Sequence, residues 1–231
     1  VVRALDRAGA DIIELGVPFS DPLADGIVNQ MAAQRALDAW TKVENVLEMI
    51  REFRRESSTP IVLFTYLNPI YTYGFEKFHA DASAAGADGI LNLDLPPDEE
   101  NENDELRGAA GLKHIRLIAP TTPDERIPDI TASAEGFIYY VSRAGVTGEQ
   151  KSLAEGIGEQ VAKIKSSTDV PVVVGFGISS PEQAAEVARS ADGVVVGSAI
   201  VKQVAEYGEA ADLADRIEAF VKPLVDAVKA V

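Results

Sequence analysis

Ile12-Ile13-Glu14-Leu15-Gly16-Val17-Pro18-Phe19-Ser20-Asp21-Pro22-Leu23-Ala24-Asp25-Gly26 begins as a β-branched apolar run and ends as a loop punctuated by proline and glycine. The run is near-continuously apolar instead of alternating, which is the pattern of a strand covered on both faces, as in a parallel sheet. A carboxylate, Glu14, interrupts it where a buried residue is expected. Asp25 follows in the loop, just before a helical stretch. A strand-borne Glu and a loop-borne Asp can approach one substrate from two sides, the arrangement of an acid/base pair.

The same alternation of strand and helix runs along the chain. Short apolar runs recur at Ile12–Val17, Ile61–Tyr66, Gly89–Leu95, His114–Ala119, Phe137–Ser142, Val170–Gly175 and Gly193–Gly197. Amphipathic stretches separate them, among them Lys42–Arg55, Gly74–Ala85, Pro181–Ser190 and Leu213–Val228. In the last, Leu213, Ile217, Phe220, Leu224 and Val228 recur at helical spacing, and Pro223 predicts a kink. Repeated βα units predict an α/β fold, a (β/α)₈ TIM barrel, with a doubly wound sheet as the alternative. Seven strands are countable, one fewer than a closed barrel needs, so the first strand is expected to be missing from this chain. No linker or low-complexity segment divides residues 1–231, which predicts a single domain.

At 231 residues and 46% hydrophobic, the chain can bury one large core. It contains no apolar run of about 18 residues, so no membrane span is expected. With no cysteine, disulfide and thiolate chemistry are excluded and the cytoplasm is the expected location. Its two histidines, His79 and His114, lie in no cluster with metal-ligand spacing. The net charge of −16 argues against a nucleic-acid partner, since phosphate backbones call for Lys and Arg stripes. The acidity peaks at Asp98–Glu105, which reads as a solvated helix start. Carboxylate density of this kind also suits a high-salt, halophilic interior.

Glu14, flanked by Ile13 and Leu15, is expected to have a raised pKa and so to exchange protons near neutrality. The plainer alternative is an inward Glu paired with a core Lys or Arg. Asp21 precedes proline and suits a local turn. Asp25 precedes Gly26 and a helix, so N-capping competes with a catalytic role. Three glycine-rich turns follow late strands: Ser142–Gly148, Gly175–Pro181 and Gly197–Val201. Backbone N–H groups at glycine turns and helix N-termini bind phosphate without side-chain charge, and the loops after the last two strands are the usual place for it in such barrels. Phe64, Tyr66, Tyr139 and Tyr140 lie at strand ends, where they can line a slot for a flat ring. Tyr139 and Tyr140 are neighbours on a strand, so one of them is expected in the core.

Together these residues resemble the tryptophan synthase α subunit family. The resemblance runs through nearly the whole chain and is strongest at Glu14–Gly26, Ser142–Gly148 and Gly175–Ser179, with Gly197–Val201 closing the set. It implies a lyase that cleaves indole-3-glycerol phosphate to indole and glyceraldehyde 3-phosphate in tryptophan biosynthesis. By that resemblance Glu14 is the general acid/base acting at the indole ring carbon, and Asp25 accepts the indole N–H. Tyr139 matches an active-site tyrosine, and Thr147 lies in a loop that positions Asp25. Gly148, Gly177, Gly197 and Ser198 match phosphate ligands; Phe64 and Phe176 match ring-contacting positions. The resemblance implies no cofactor on this chain. It implies instead an αββα assembly with a β subunit that carries pyridoxal phosphate, contacted through loops at Asp21–Ala33 and Asn68–Tyr73.

The family has a strand before the point where this chain starts, so 231 residues are expected to be a truncated record of a longer protein. Without that strand, turnover is expected to be severely impaired. Two other readings compete. One is a non-catalytic activator of a β subunit, for which keeping both Glu14 and Asp25 has no reason. The other is a different phosphate-binding barrel of the same pathway, which wants a catalytic Lys or Cys at an early strand end.

Overall fold

The computed structural model describes residues 1–99, 101–142, 153–175 and 177–231. The backbone gathers into two compact units, Val1–His114 and Ile115–Val231.

In the first unit, helix α1 (Val2–Arg7) leads into strand β1 (Ile13–Gly16), followed by helices α2 (Ile27–Asp38) and α3 (Val43–Arg54). Strand β2 (Ile61–Thr65), helices α4 (Leu67–Tyr73) and α5 (Phe75–Ala85), strand β3 (Gly89–Asn92) and helix α6 (Asn101–Ala109) complete it. Strands β1, β2 and β3 pair in parallel, with Glu14 opposite Val62, Gly16 opposite Phe64, and Phe64 opposite Leu91. Strand alternation then sorts the side chains. Ile13, Ile61, Leu63 and Ile90 pack outward against Val46, Leu47, Ile50 and Phe53 of α3 and Phe78, Ala82 and Ala85 of α5. Each such side chain contributes about 1.5–3 kcal/mol on burial. Glu14, Gly16, Val62, Phe64 and Leu91 are thereby turned to the other face.

The second unit holds most of strand β4 (Lys113–Ile118), then α7 (Ile127–Ala132), β5 (Ile138–Val141), α8 (Leu153–Lys165), β6 (Val172–Gly175), α9 (Pro181–Ala188), β7 (Gly193–Val195), α10 (Ser198–Tyr207) and α11 (Leu213–Lys229). Strands β4 to β7 are parallel neighbours in chain order. Ile138, Tyr140, Val172 and Val174 face a core shared with Ile157, Val161, Ile164, Ala184, Val187 and Leu224. Tyr140 is therefore the core member of the tyrosine pair, and Tyr139 faces the opposite way. Helix α11 runs unbroken through Pro223, burying Ile217, Val221 and Leu224.

One device recurs at the start of strands in each unit. In Ala87-Asp88-Gly89, Asp88 accepts the N–H of Ile61, the first residue of β2, at 2.8 Å and pairs with Arg54 at the end of α3 at 2.5 Å. In Ala191-Asp192-Gly193, Asp192 accepts the N–H of Val172, the first residue of β6, at 2.8 Å and pairs with Lys165 of α8 at 2.7 Å. A carboxylate before one strand thus anchors the start of its neighbour and the end of the helix leading to it.

Of the two segments expected as partner-contact loops, one runs into the helix expected after Gly26 and the other is itself helical. Residues 27–33 lie in α2, and residues 68–73 lie in α4. Asp94 Oδ1, beyond the end of β3, accepts the N–H of Leu67 at 2.7 Å and so satisfies the start of α4 from a distance. Pro69 falls in the first turn of that helix, where it forfeits no intrahelical hydrogen bond. The acidic run is helical in part: Glu102 and Asp104 occupy the first turn of α6.

Candidate active site

Glu14 sits in the middle of β1 on the face turned away from the helices. Its Oε1 is sealed from solvent and has no hydrogen-bond partner among the described residues. Burial pushes its pKa up from 4.5 to about 7, and no basic group among the described residues offsets that shift. Among the described residues, no core Lys or Arg holds Glu14. A buried carboxyl with a pKa near neutrality can both give and take a proton.

Asp25 precedes α2 but does not cap it: Gly26 is the N-cap, and no side chain satisfies the helix start. The carboxylate is instead gripped at both oxygens. Tyr66 donates its hydroxyl to Oδ2 at 2.9 Å, and Asn29 donates from Nδ2 to Oδ1 at 3.3 Å. The Tyr66 oxygen in turn accepts the N–H of Ala24 at 3.0 Å. Burial, then the bond to Asp25, pushes the Tyr66 phenol up to about 12, so it remains a donor at any physiological pH. Phe19 lies against the Tyr66 ring, with centroids 5.4 Å apart. Phe64 shares the face of Glu14, two residues nearer the C-terminal end of the sheet. Asp21, by contrast, is exposed: its carboxylate accepts the Ser20 hydroxyl at 2.6 Å and its carbonyl accepts the N–H of Leu23 at 2.9 Å, a local turn.

In the second unit, Tyr139, Gly175, Gly177, Gly197 and Ser198 gather toward the C-terminal ends of β5, β6 and β7. The Tyr139 ring lies directly over Gly175, and a methyl group there would collide with it. Gly177 has φ +60°, a conformation that favours glycine. Gly197 is the N-cap of α10 with φ −107°, and open space surrounds the position where a side chain would start. A backbone this open leaves room for an anion to approach it. Ile200 and Val201 donate to the Gly197 carbonyl, whereas the N–H groups of Ser198 and Ala199 precede the first intrahelical bond, the feature by which helix N-termini receive anions. Helix α9 differs: the Ser180 hydroxyl accepts the Gln183 N–H, and Gln183 Oε1 takes Ser179 N at 3.0 Å. Thr147, Gly148 and Phe176 lie outside the described residues.

Two groups were not legible as site residues in the sequence. Asn29 touches Asp25, and Asn92 at the end of β3 has both amide atoms sealed without a partner among the described residues. Both histidines belong to a polar cluster of the first unit: His79 Nε2 lies 2.8 Å from Asn103 Oδ1, and His114 Nδ1 lies 3.0 Å from Asp104. No group of three His, Asp or Glu side chains among the described residues could hold a metal ion. No helix among them is long and apolar enough to cross a membrane.

Parallel βα units with functional groups at the C-terminal ends of the strands define an α/β protein of the TIM-barrel class. The sequence profile described as tryptophan synthase alpha chain matches residues 1–229. A tryptophan synthase alpha chain from Citrifermentans bemidjiense is 47% identical over 228 residues, covering 99% of this chain and 85% of that one. The crystal structure of the Legionella pneumophila alpha chain superposes with a TM-score of 0.89 at 38% identity, covering 100% of this chain and 85% of the other. A tryptophan synthase structure from M. tuberculosis matches with a TM-score of 0.86 at 34% identity, over 97% of this chain and 83% of that one. The chain belongs to the tryptophan synthase alpha chain family, the lyases that cleave indole-3-glycerol phosphate in tryptophan biosynthesis.

Proposed function

We propose that this chain performs that cleavage with Glu14 and Asp25 as its acid/base pair. The observation that carries the reading is the Glu14 carboxyl, whose Oε1 is sealed without a partner among the described residues and whose pKa burial raises to about 7. In its protonated form Glu14 delivers a proton to the ring carbon that bears the glycerol chain. The ring nitrogen becomes positive, and Asp25, held by Tyr66 and Asn29, stabilises that charge and accepts its N–H. The carboxylate left on Glu14 then takes the proton of the adjacent side-chain hydroxyl. The carbon–carbon bond breaks, its electrons return to the ring, and indole and the aldehyde separate with Glu14 protonated again.

Tyr139 is read as a catalytic tyrosine, and Phe64, Tyr66 and Phe176 as ring-contacting residues, on the family resemblance. The phosphate is read as bound at Gly148, Gly177, Gly197 and Ser198; the open N-terminus of α10 supports the last two. The scheme uses no cofactor of this chain's own.

A partner subunit fits the surface. Leu23 is 91% exposed, and Ile27 and Met31, one helical turn apart on α2, are exposed with it; Tyr71 of α4 is a further exposed aromatic. The proposal is an αββα assembly with a pyridoxal-phosphate β subunit in the cytoplasm, to which the cysteine-free sequence is suited. Indole release from indole-3-glycerol phosphate tests the catalytic reading. Asp25→Asn and Glu14→Gln are each expected to lose at least about a hundredfold in kcat; a variant of either residue that keeps the parent rate refutes its role.

A further inference from the structure

We propose that Asn29 is a positioning residue for this reaction: its side-chain amide fixes the carboxylate of Asp25 in the orientation that meets the ring nitrogen. The inference rests on reading Asp25 as the anion beside that nitrogen.

A carboxylate held at one oxygen still swings about its last torsion, which is broad for Asp. Held at both oxygens by donors on different elements, it keeps one orientation before charge develops on the substrate. Tyr66, just after β2, holds Oδ2, and Asn29, in the first turn of α2, holds Oδ1. The backbone around the carboxylate is tied as well, by Gln30 Nε2 on the Asp25 carbonyl at 2.8 Å and by Ala24 N on the Tyr66 oxygen.

The amide orientation follows from its neighbour, because turning Asn29 over would set two acceptors against each other. Its Oδ1 is then left sealed from solvent with no partner among the described residues. A buried amide oxygen without a donor lowers stability. Packing alone therefore favours an aliphatic residue at this position, and the bond to Asp25 is what the asparagine adds.

The test compares kcat and KM for indole-3-glycerol phosphate across the unaltered full chain, Asn29→Leu, Asn29→Asp, Asp25→Asn and the Asp25→Asn/Asn29→Leu double variant. Asn29→Leu is expected to lower kcat about tenfold and to change KM less than about twofold, the signature of a contact that matters in the transition state. In the Asp25→Asn background the same change is expected to add less than about twofold, because its effect runs through Asp25. Asn29→Asp sets two carboxylates against each other. Its kcat relative to the unaltered chain should therefore rise as pH falls from about 8 to about 6 and the pair shares a proton. A purely structural role leaves that ratio flat.

An unchanged kcat in Asn29→Leu overturns the proposal, as does a full tenfold loss in the Asp25→Asn background. Thermal midpoints establish that the variants fold. Should Asn29→Leu not fold, the pH ratio of Asn29→Asp decides, and a flat ratio is the adverse result. Asp25→Asn alone tests the underlying reading: parent-level activity there removes Asp25 from the chemistry, whatever Asn29 does.

Discussion

Tyr66 donates its hydroxyl to Asp25 Oδ2 at 2.9 Å while accepting the N–H of Ala24 at 3.0 Å, so one phenol holds both the carboxylate and the loop that carries it. Removing that hydroxyl frees one carboxylate oxygen and leaves a backbone donor without its acceptor. Tyr66→Phe is expected to lower kcat about tenfold and stability by about 1 kcal/mol. Steady-state indole release and urea unfolding measure the two effects separately.

Glu14 carries an opposite tension between function and stability. Its folded pKa of about 7 lies above its ordinary value of 4.5. The stability tied to its protonated form is therefore fully present below about pH 4.5 and lost as pH rises through about 7. Above that, the fold holds a buried charge that no described residue compensates. Glu14→Gln should be stabilised relative to its parent by about 2 kcal/mol more at about pH 8 than at about pH 5. Urea titrations at the two pH values give the difference directly; an unchanged difference excludes a raised pKa.

Trp40 is 84% exposed and has φ +60°, the one non-glycine residue with positive φ among the described residues. A bulky side chain in that conformation costs about 1–2 kcal/mol, of which glycine's extra chain entropy offsets a part. Trp40→Gly is expected to stabilise the chain by about 0.5–1 kcal/mol, read as an upward shift of the thermal midpoint.

Arg54 gathers the carbonyls of Gly86 and Thr59, at 2.8 and 2.7 Å, and the carboxylate of Asp88 around one guanidinium. A lysine cannot reproduce that planar fork. Arg54→Lys should cost about 1–2 kcal/mol and Arg54→Met about 2–3 kcal/mol, since Met leaves a half-exposed Asp88 and two carbonyls unmatched. The ordering of the two midpoints in urea is the check.

The strands were legible because the parallel sheet writes near-continuous apolar runs, and Glu14 was legible because it breaks one. Helix α4 was not: Leu67–Tyr73 is short, contains Pro69, and takes its capping acceptor from Asp94, which local pattern cannot reveal. Capping and catalysis could not be told apart for Asp25 by sequence, because both need a carboxylate before a helix; the structure removes capping, since Gly26 is the N-cap and the carboxylate is bound by Tyr66 and Asn29 instead. Asn29 itself looks like any polar residue on a first helical turn. Tyr139 and Tyr140 were separable as a pair by strand alternation, but which of them faces the core depends on packing across the sheet.

The most direct test is indole release from indole-3-glycerol phosphate by this chain and by Glu14→Gln, at equal concentration and with folding verified by circular dichroism. The expected result is a fall of at least about a hundredfold in kcat for the variant, because the proton for the ring carbon has no other source in the scheme. A Glu14→Gln protein that releases indole at the rate of its parent would contradict the account.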